Sequence, residues 1–267
     1  MSTQELDLAE LRRMYGQGGW LYTLVSGGGT LHWGWTEPGQ SKWRLWRAQR
    51  QLEDVLGRKL ALPTGARVLD AGCGAGVVAQ AMAARFGLEV AGVDVLDFLL
   101  DRARRSSARA KPTDRTTFRW GDFHQLPFDD GEFDGGYAME ALVHSYDPPR
   151  ALAEFHRVLR PGGRLVLLGP MSTGPLEGAA DPDRSCHAGS LPGLLAAAGF
   201  EVEEAFDATR YYRPTTEALH AFLRLPWELV RRFGDPEKWL NIRTIMELYA
   251  ARDTTGWYVH TAVKPSR

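Results

Sequence analysis

Cysteine is scarce in this chain. Cys73 and Cys186 are the only two among 267 residues, too few for a disulfide framework, so a reduced, cytoplasmic protein is the expectation. No apolar run is long enough to span a bilayer. Met1–Glu10 is acidic and lacks the apolar segment of a secretory signal. Net charge is almost absent at −1, so no global field gathers nucleic acid. The basic run Arg102, Arg104, Arg105, Arg109 and Lys111 reads as a solvated helix face rather than a nucleic-acid patch, because no RNA-binding motif accompanies it. His124, His156, His187, His220 and His260 lack ligand spacing and no Cys/His cluster exists, so no metal is expected. Neither a nucleophile elbow in a Ser-His-Asp order nor an internal repeat is visible.

What the chain does have is a glycine-rich turn at the end of an apolar strand. Val68-Leu69-Asp70-Ala71-Gly72-Cys73-Gly74-Ala75-Gly76 places glycine at every second position, and helix-forming alanines follow. Such glycines let backbone N–H groups at a helix start approach a ligand closely. A dinucleotide fingerprint would need glycine at the place of Val77; here it falls at Gly76. About twenty residues beyond Gly74, a second short strand ends in Asp94, where nucleotide folds keep a ribose-binding acid. Its structural alternative is a helix N-cap, a place Asp97 also suits. Then come Trp120-Gly121-Asp122-Phe123-His124-Gln125-Leu126-Pro127-Phe128, a strand at Phe133–Glu140, and Arg157-Val158-Leu159-Arg160-Pro161-Gly162-Gly163-Arg164-Leu165-Val166-Leu167.

In that order and spacing the segments resemble the motifs of class I S-adenosylmethionine (SAM) methyltransferases. The likeness covers roughly residues 60–205 and implies an α/β fold: a doubly wound, mostly parallel seven-stranded Rossmann-like sheet. It implies SAM as cofactor, held by Asp70, Gly72, Cys73, Gly74, Gly76, Asp94, Val95, Gly121, Asp122, Phe123 and Tyr137. In the family the Asp94 position meets both ribose hydroxyls, and the Asp122 position meets the adenine amino group beside a side chain that covers the ring.

Around this core, residues 1–60 read as an N-terminal lid and helix, with a helix over Leu8–Tyr15 capped by Asp7 and another over Lys42–Leu60. Residues 61–212 form the core, with Met171–His187 as a loop over the strand ends. Residues 213–253 read as a helical cap insertion whose segments start near Pro214, Pro226 and Pro236. Residues 254–267 hold a last strand and tail. Leu31-His32-Trp33-Gly34-Trp35 and Tyr137-Ala138-Met139-Glu140-Ala141-Leu142-Val143-His144 are similar to segments of sterol and γ-tocopherol C-methyltransferases. Ser145-Tyr146-Asp147 departs from the apolar-proline link usual there, so the likeness implies a small, largely apolar acceptor rather than a sterol.

Methyl transfer needs alignment more than covalent help. Where the acceptor must lose a proton, His144 is the candidate base, with Glu140 four residues earlier to orient it if a helix follows the strand directly. The bland alternative has each bonding a nearby backbone group. Tyr15, Tyr22, His32, Trp33, Trp35, Phe222 and Trp227 are the candidate acceptor contacts, against simple packing as the alternative. The expectation is therefore a SAM-dependent methyltransferase of specialised metabolism with a small-molecule partner. A SAM-binding protein of the same fold that catalyses cyclisation, or only responds to SAM, is the competing class; an NAD dehydrogenase stands further off.

Overall fold

The computed structural model describes residues 8–17, 32–109, 115–174, 187–235 and 239–266. The expected cap Asp7, the aromatic Tyr22, Cys186, Pro236 and most of the 171–187 loop lie outside them. In chain order the elements are α1 (Leu8–Gln17), α2 (Leu45–Leu60), β1 (Arg67–Ala71), α3 (Val77–Phe86), β2 (Glu89–Asp94) and α4 (Asp97–Arg109). Then follow β3 (Thr116–Trp120), β4 (Phe133–Met139), a 3-10 turn at Leu142–His144, α5 (Pro148–Val158), β5 (Leu159–Ser172) and α6 (Leu191–Ala197). β6 (Glu201–Asp207), α7 (Thr209–Phe233), α8 (Leu240–Ala250) and β7 (Thr255–Val263) complete the set.

The strands form one seven-stranded sheet in the order β3-β2-β1-β4-β5-β7-β6. The first five are parallel; β7 inserts antiparallel between β5 and β6. β1, β4 and β5 carry near-continuous apolar runs because helices cover both faces of the sheet. One layer packs Phe133, Leu152, Phe155 and Leu195; the other packs Leu52, Leu56, Met82 and Tyr212. Strand order reverses between β1 and β4. Connections leave those two strands in opposite directions, so a crevice opens at their carboxyl ends.

Several expectations shift. The helix expected from Lys42 starts at Leu45, and Trp43 and Trp46 stand 62% and 55% exposed on its solvent side. Asp97, not Asp94, is the first residue of α4, although Asp94 does bind the Leu96 N–H ahead of it. Pro214 and Pro226 do not start separate segments; both lie inside the 25-residue α7. A proline removes one helical N–H, but burial of Tyr212, Thr215, Ala218, Leu223 and Trp227 along one face holds the helix through both positions. The Thr215 and Thr216 hydroxyls donate to the Tyr212 and Arg213 carbonyls at 2.8 and 2.9 Å in the turn around Pro214. α1 packs against α8, and α7 packs against α8, so the N-terminal helix meets the second half of the chain at the crevice edge.

Candidate active site

The crevice wall begins at the turn after β1. Gly72 has φ +82°, and a Cβ there would sit 2.3 Å from the Ala141 Cβ. Glycine is therefore required both by the backbone and by the close approach of the β4 turn. Asp94 caps the facing side of the turn. Its Oδ2 accepts the Gly74 N–H at 2.8 Å and its Oδ1 accepts the Leu96 N–H at 2.9 Å. Each oxygen keeps a second lone pair. Burial raises the Asp94 carboxyl above its ordinary value, and the backbone N–H groups work against that rise. Asp70 lies deeper and 2% exposed, with one oxygen lacking a hydrogen-bond partner. Burial lifts it to about 7.

Gly121, Asp122 and Phe123 form the next stretch of wall, just beyond β3. Asp122 Oδ1 accepts both the backbone N–H of His124, at 2.9 Å, and the His124 ring Nδ1–H, at 2.6 Å. The Tyr146 hydroxyl donates to Oδ2 at 3.3 Å. Burial pushes the Asp122 carboxyl up, but these donors outweigh it and hold the group below the ordinary carboxylate range.

The third side comes from the end of β4. Glu140 has φ +55°, a left-handed backbone that non-glycine residues adopt at a cost of about 1–3 kcal/mol. The bend aims its carboxyl at the strap carrying His32–Thr36: the Trp33 N–H donates to Oε1 at 3.1 Å and to Oε2 at 3.3 Å. Burial raises Glu140 to about 8, so the group holds its proton near neutrality. The 3-10 turn then delivers His144, whose Nε2 lies 2.9 Å from the Tyr15 hydroxyl of α1. Burial lowers the His144 pKa, which keeps the ring unprotonated.

Of the expected site residues, Asp70, Gly72, Cys73, Gly74, Asp94, Val95, Gly121, Asp122, Phe123, Glu140, His144, Tyr15 and His32 line this one pocket. Others do not. Gly76 (φ +75°) is the N-cap of α3, and a Cβ there would meet the Phe118 ring at 2.6 Å, so backbone and packing both require glycine. Tyr137 is fully buried on β4 opposite Asp70, below the pocket floor. Trp33 packs edge-on against Trp257, and Trp35 stacks on Tyr211 with ring centroids 4.0 Å apart. Trp227 lies in a separate cluster with Leu223, Ile242 and Ile245, and Phe222 is 60% exposed. The inward face of α7 thus packs on α8 at Leu223 and Trp227 and on the sheet layer at Tyr212, rather than on the crevice. Nor do Glu140 and His144 pair, because the left-handed bend at Glu140 replaces the helix that would align them; Tyr15 takes that place.

Leu11, Leu96, Leu99 and Met139 also line the pocket and escaped sequence reasoning. Their apolar spacing reads as ordinary core, so only the fold distinguishes them. His124 has no metal spacing, but its place two residues after Asp122 is a local signal of the bond it makes there.

A crevice at the switch point, a glycine cradle and two carboxylates at successive strand ends define a nucleoside-binding α/β protein. Residues 69–167 match the family model described as a methyltransferase domain. The S-adenosyl-L-methionine-dependent Diels-Alderase iccD of Talaromyces variabilis is 34% identical, with 91% of this chain and 90% of that protein covered. The 27-O-demethylrifamycin SV methyltransferase of Amycolatopsis mediterranei is 35% identical over 89% and 91% of the two chains. The crystal structure of the [4+2]-cyclase SpnF superposes with a TM-score of 0.82 at 27% identity, covering 96% of each chain. The chain belongs to the SAM-dependent methyltransferase family, and SAM is its cofactor.

Proposed function

We propose that this enzyme methylates an acidic hydroxyl of a small, largely apolar metabolite, with His144 as general base. The observation that carries the reading is the His144–Tyr15 pair on the pocket wall: a half-buried imidazole bonded to a hydroxyl 2.9 Å away. SAM supplies an electrophilic methyl group on a sulfonium when bound. The residues present fit it. Asp94 offers its remaining lone pairs to a ribose diol, Asp122 faces the adenine side, and Leu96, Leu99 and Phe123 offer apolar surface for the base. Gly72 and Gly74 bring the backbone close to the amino-acid end.

An acceptor hydroxyl that displaces Tyr15 from His144 Nε2 hands its proton to that nitrogen and becomes the stronger nucleophile. Glu140 acts differently from a base: protonated at neutral pH, it clamps the Trp33 backbone and closes the crevice against water. Residues 1–60 supply an N-terminal lid and a helix, and 213–253 the cap. The relative from Amycolatopsis, a 27-O-demethylrifamycin SV methyltransferase, supports an oxygen of a small-molecule metabolite as acceptor. A small-molecule acceptor rather than nucleic acid also suits the basic α4 face, where Arg104 is tied to Asp101 and the Phe118 carbonyl. The free, buried Cys73 thiol beside the pocket suits cytoplasmic, reducing conditions. No helix of the described residues is long and apolar enough to cross a membrane.

A second reading is favoured by the Diels-Alderase and the [4+2]-cyclase among the similar proteins: the chain binds SAM and catalyses cyclisation. One experiment separates them. The enzyme is incubated with phenolic, terpenoid and indolic acceptors, with labelled SAM and, in parallel, with S-adenosylhomocysteine (SAH). Methyl transfer gives labelled product and one SAH per turnover, and stops when SAH replaces SAM. Unlabelled rearranged product formed equally with SAH would overturn the methylation reading.

A further inference from the structure

His124 is 1% exposed and stands behind the pocket wall rather than on it. Its ring nitrogens face two different parts of the site. Nδ1 lies 2.6 Å from Asp122 Oδ1 on the cofactor side. Nε2 lies 2.8 Å from Ser145 Oγ and 3.4 Å from the Asp147 backbone nitrogen. A backbone N–H can only donate, so Nε2 is the acceptor and the ring proton sits on Nδ1, where it donates to Asp122. Ser145 immediately follows His144 and closes its 3-10 turn, its N–H donating to the Leu142 carbonyl at 2.9 Å. Asp147 caps α5 through the Arg150 N–H. Tyr146, between them, covers the ring with centroids 3.7 Å apart and sends its hydroxyl back to Asp122. Arg150 Nε fixes the segment from below by donating to the His124 carbonyl at 2.8 Å.

We propose that His124 is a positioning residue that ties the cofactor-side carboxylate to the loop holding the base. Its Nδ1–H orients Asp122, and its Nε2 pins Ser145 and Asp147, hence the His144 backbone. The two halves of the site are thereby held by one buried ring, and ordering Asp122 against a ligand also orders the 144–147 segment. The inference rests on His144 as the reacting base for its catalytic part; its binding and loop-ordering part does not.

Three variants separate the two nitrogens. In His124→Asn the amide keeps a donor near Asp122 but does not reach Ser145 or Asp147. In His124→Ala both links are lost. In Ser145→Ala only the loop-side hydroxyl is lost. Calorimetric SAH affinity, amide hydrogen exchange over 142–147, and kcat against acceptor KM are measured for each. His124→Ala should weaken SAH binding by about 10-fold, as loss of a hydrogen bond to a charged group implies. His124→Asn should bind SAH nearly as the parent does yet show faster exchange at Ser145 and Asp147. In His124→Asn and Ser145→Ala kcat should fall by about 10-fold or more with acceptor KM little changed, a split that lost stability alone does not produce. SAH affinity lost equally in the Asn and Ala variants, or parental exchange over 142–147 in His124→Ala, would overturn the proposal. His144→Ala distinguishes the underlying reading. Parental turnover in that variant would remove the base assignment, while the affinity and exchange results would still decide the role of His124.

Discussion

At the residue scale burial shifts several groups of the site, raising the Asp70, Asp94 and Glu140 carboxyls and lowering His144. His144 is held below its ordinary value, so kcat/KM should rise with pH through an apparent pKa under 6.5 and be flat above it. His144→Ala should lower kcat by about 10²–10⁴-fold with SAH affinity nearly unchanged. A parental pH profile in that variant would remove His144 from proton transfer. Glu140 has the opposite sign. The folded state holds its proton from the ordinary 4.5 up to about 8 while the unfolded chain releases it, so the group takes away stability as pH rises through that window. Glu140→Gln keeps the neutral shape, and its melting temperature should exceed the parent's by a margin that grows between those two pH values. Asp94→Ala should lose the ribose contacts, two charge-assisted hydrogen bonds worth roughly 1.5–3 kcal/mol each, without unfolding the sheet. Unchanged SAH affinity would place the ribose elsewhere.

At the element scale α1 is joined to the crevice by few links. Leu11 and Tyr15 line the pocket, Arg12 pairs with Asp97 at 3.8 Å, and the helix packs on α8. Trp35, by contrast, is 5% exposed and inside the core behind the sheet. A truncation reaching residue 36 would therefore damage the core, whereas removing residues 1–17 tests the lid alone. That truncated protein should fold and bind SAH but lose most turnover, because the site loses Tyr15 and admits water. Parental catalytic efficiency would show that α1 is not part of the site.

At the scale of the whole molecule, ligand and proton binding set stability. SAH should raise the melting temperature, with about 2.7 kcal/mol of added stability at a hundred times its Kd. NADH should leave it unmoved. His260, 2% exposed on the central part of β7, has its pKa pushed down to about 4 by burial. The unfolded chain binds that proton from the ordinary 6.5 downward while the folded chain resists, so stability is full above 6.5 and falls toward about 4. His260→Leu should flatten the melting temperature across that window relative to the parent.

The strand–turn–helix order, the parallel sheet and the acids that line the crevice were legible in the sequence by itself. They rest on local facts: apolar runs of strand length, glycines where the backbone must turn tightly, and an acid at or just past the ends of β1, β2, β3 and β4. The Asp70–Gly74 turn, Asp94 and the Gly121–Phe123 segment all meet in one crevice for that reason. What only the tertiary structure decided is which aromatic side chains line the crevice. Trp33, Trp35 and Trp227 have the same aromatic chemistry as Tyr15, yet they pack in the core and Tyr15 reaches His144. The left-handed backbone at Glu140 breaks the helical register on which its pairing with His144 depended. His124 likewise has no partner within a local motif beyond Asp122. Its link to Ser145, 21 residues away, exists only because β3 and β4 bring the ends of their loops to the same edge of the sheet.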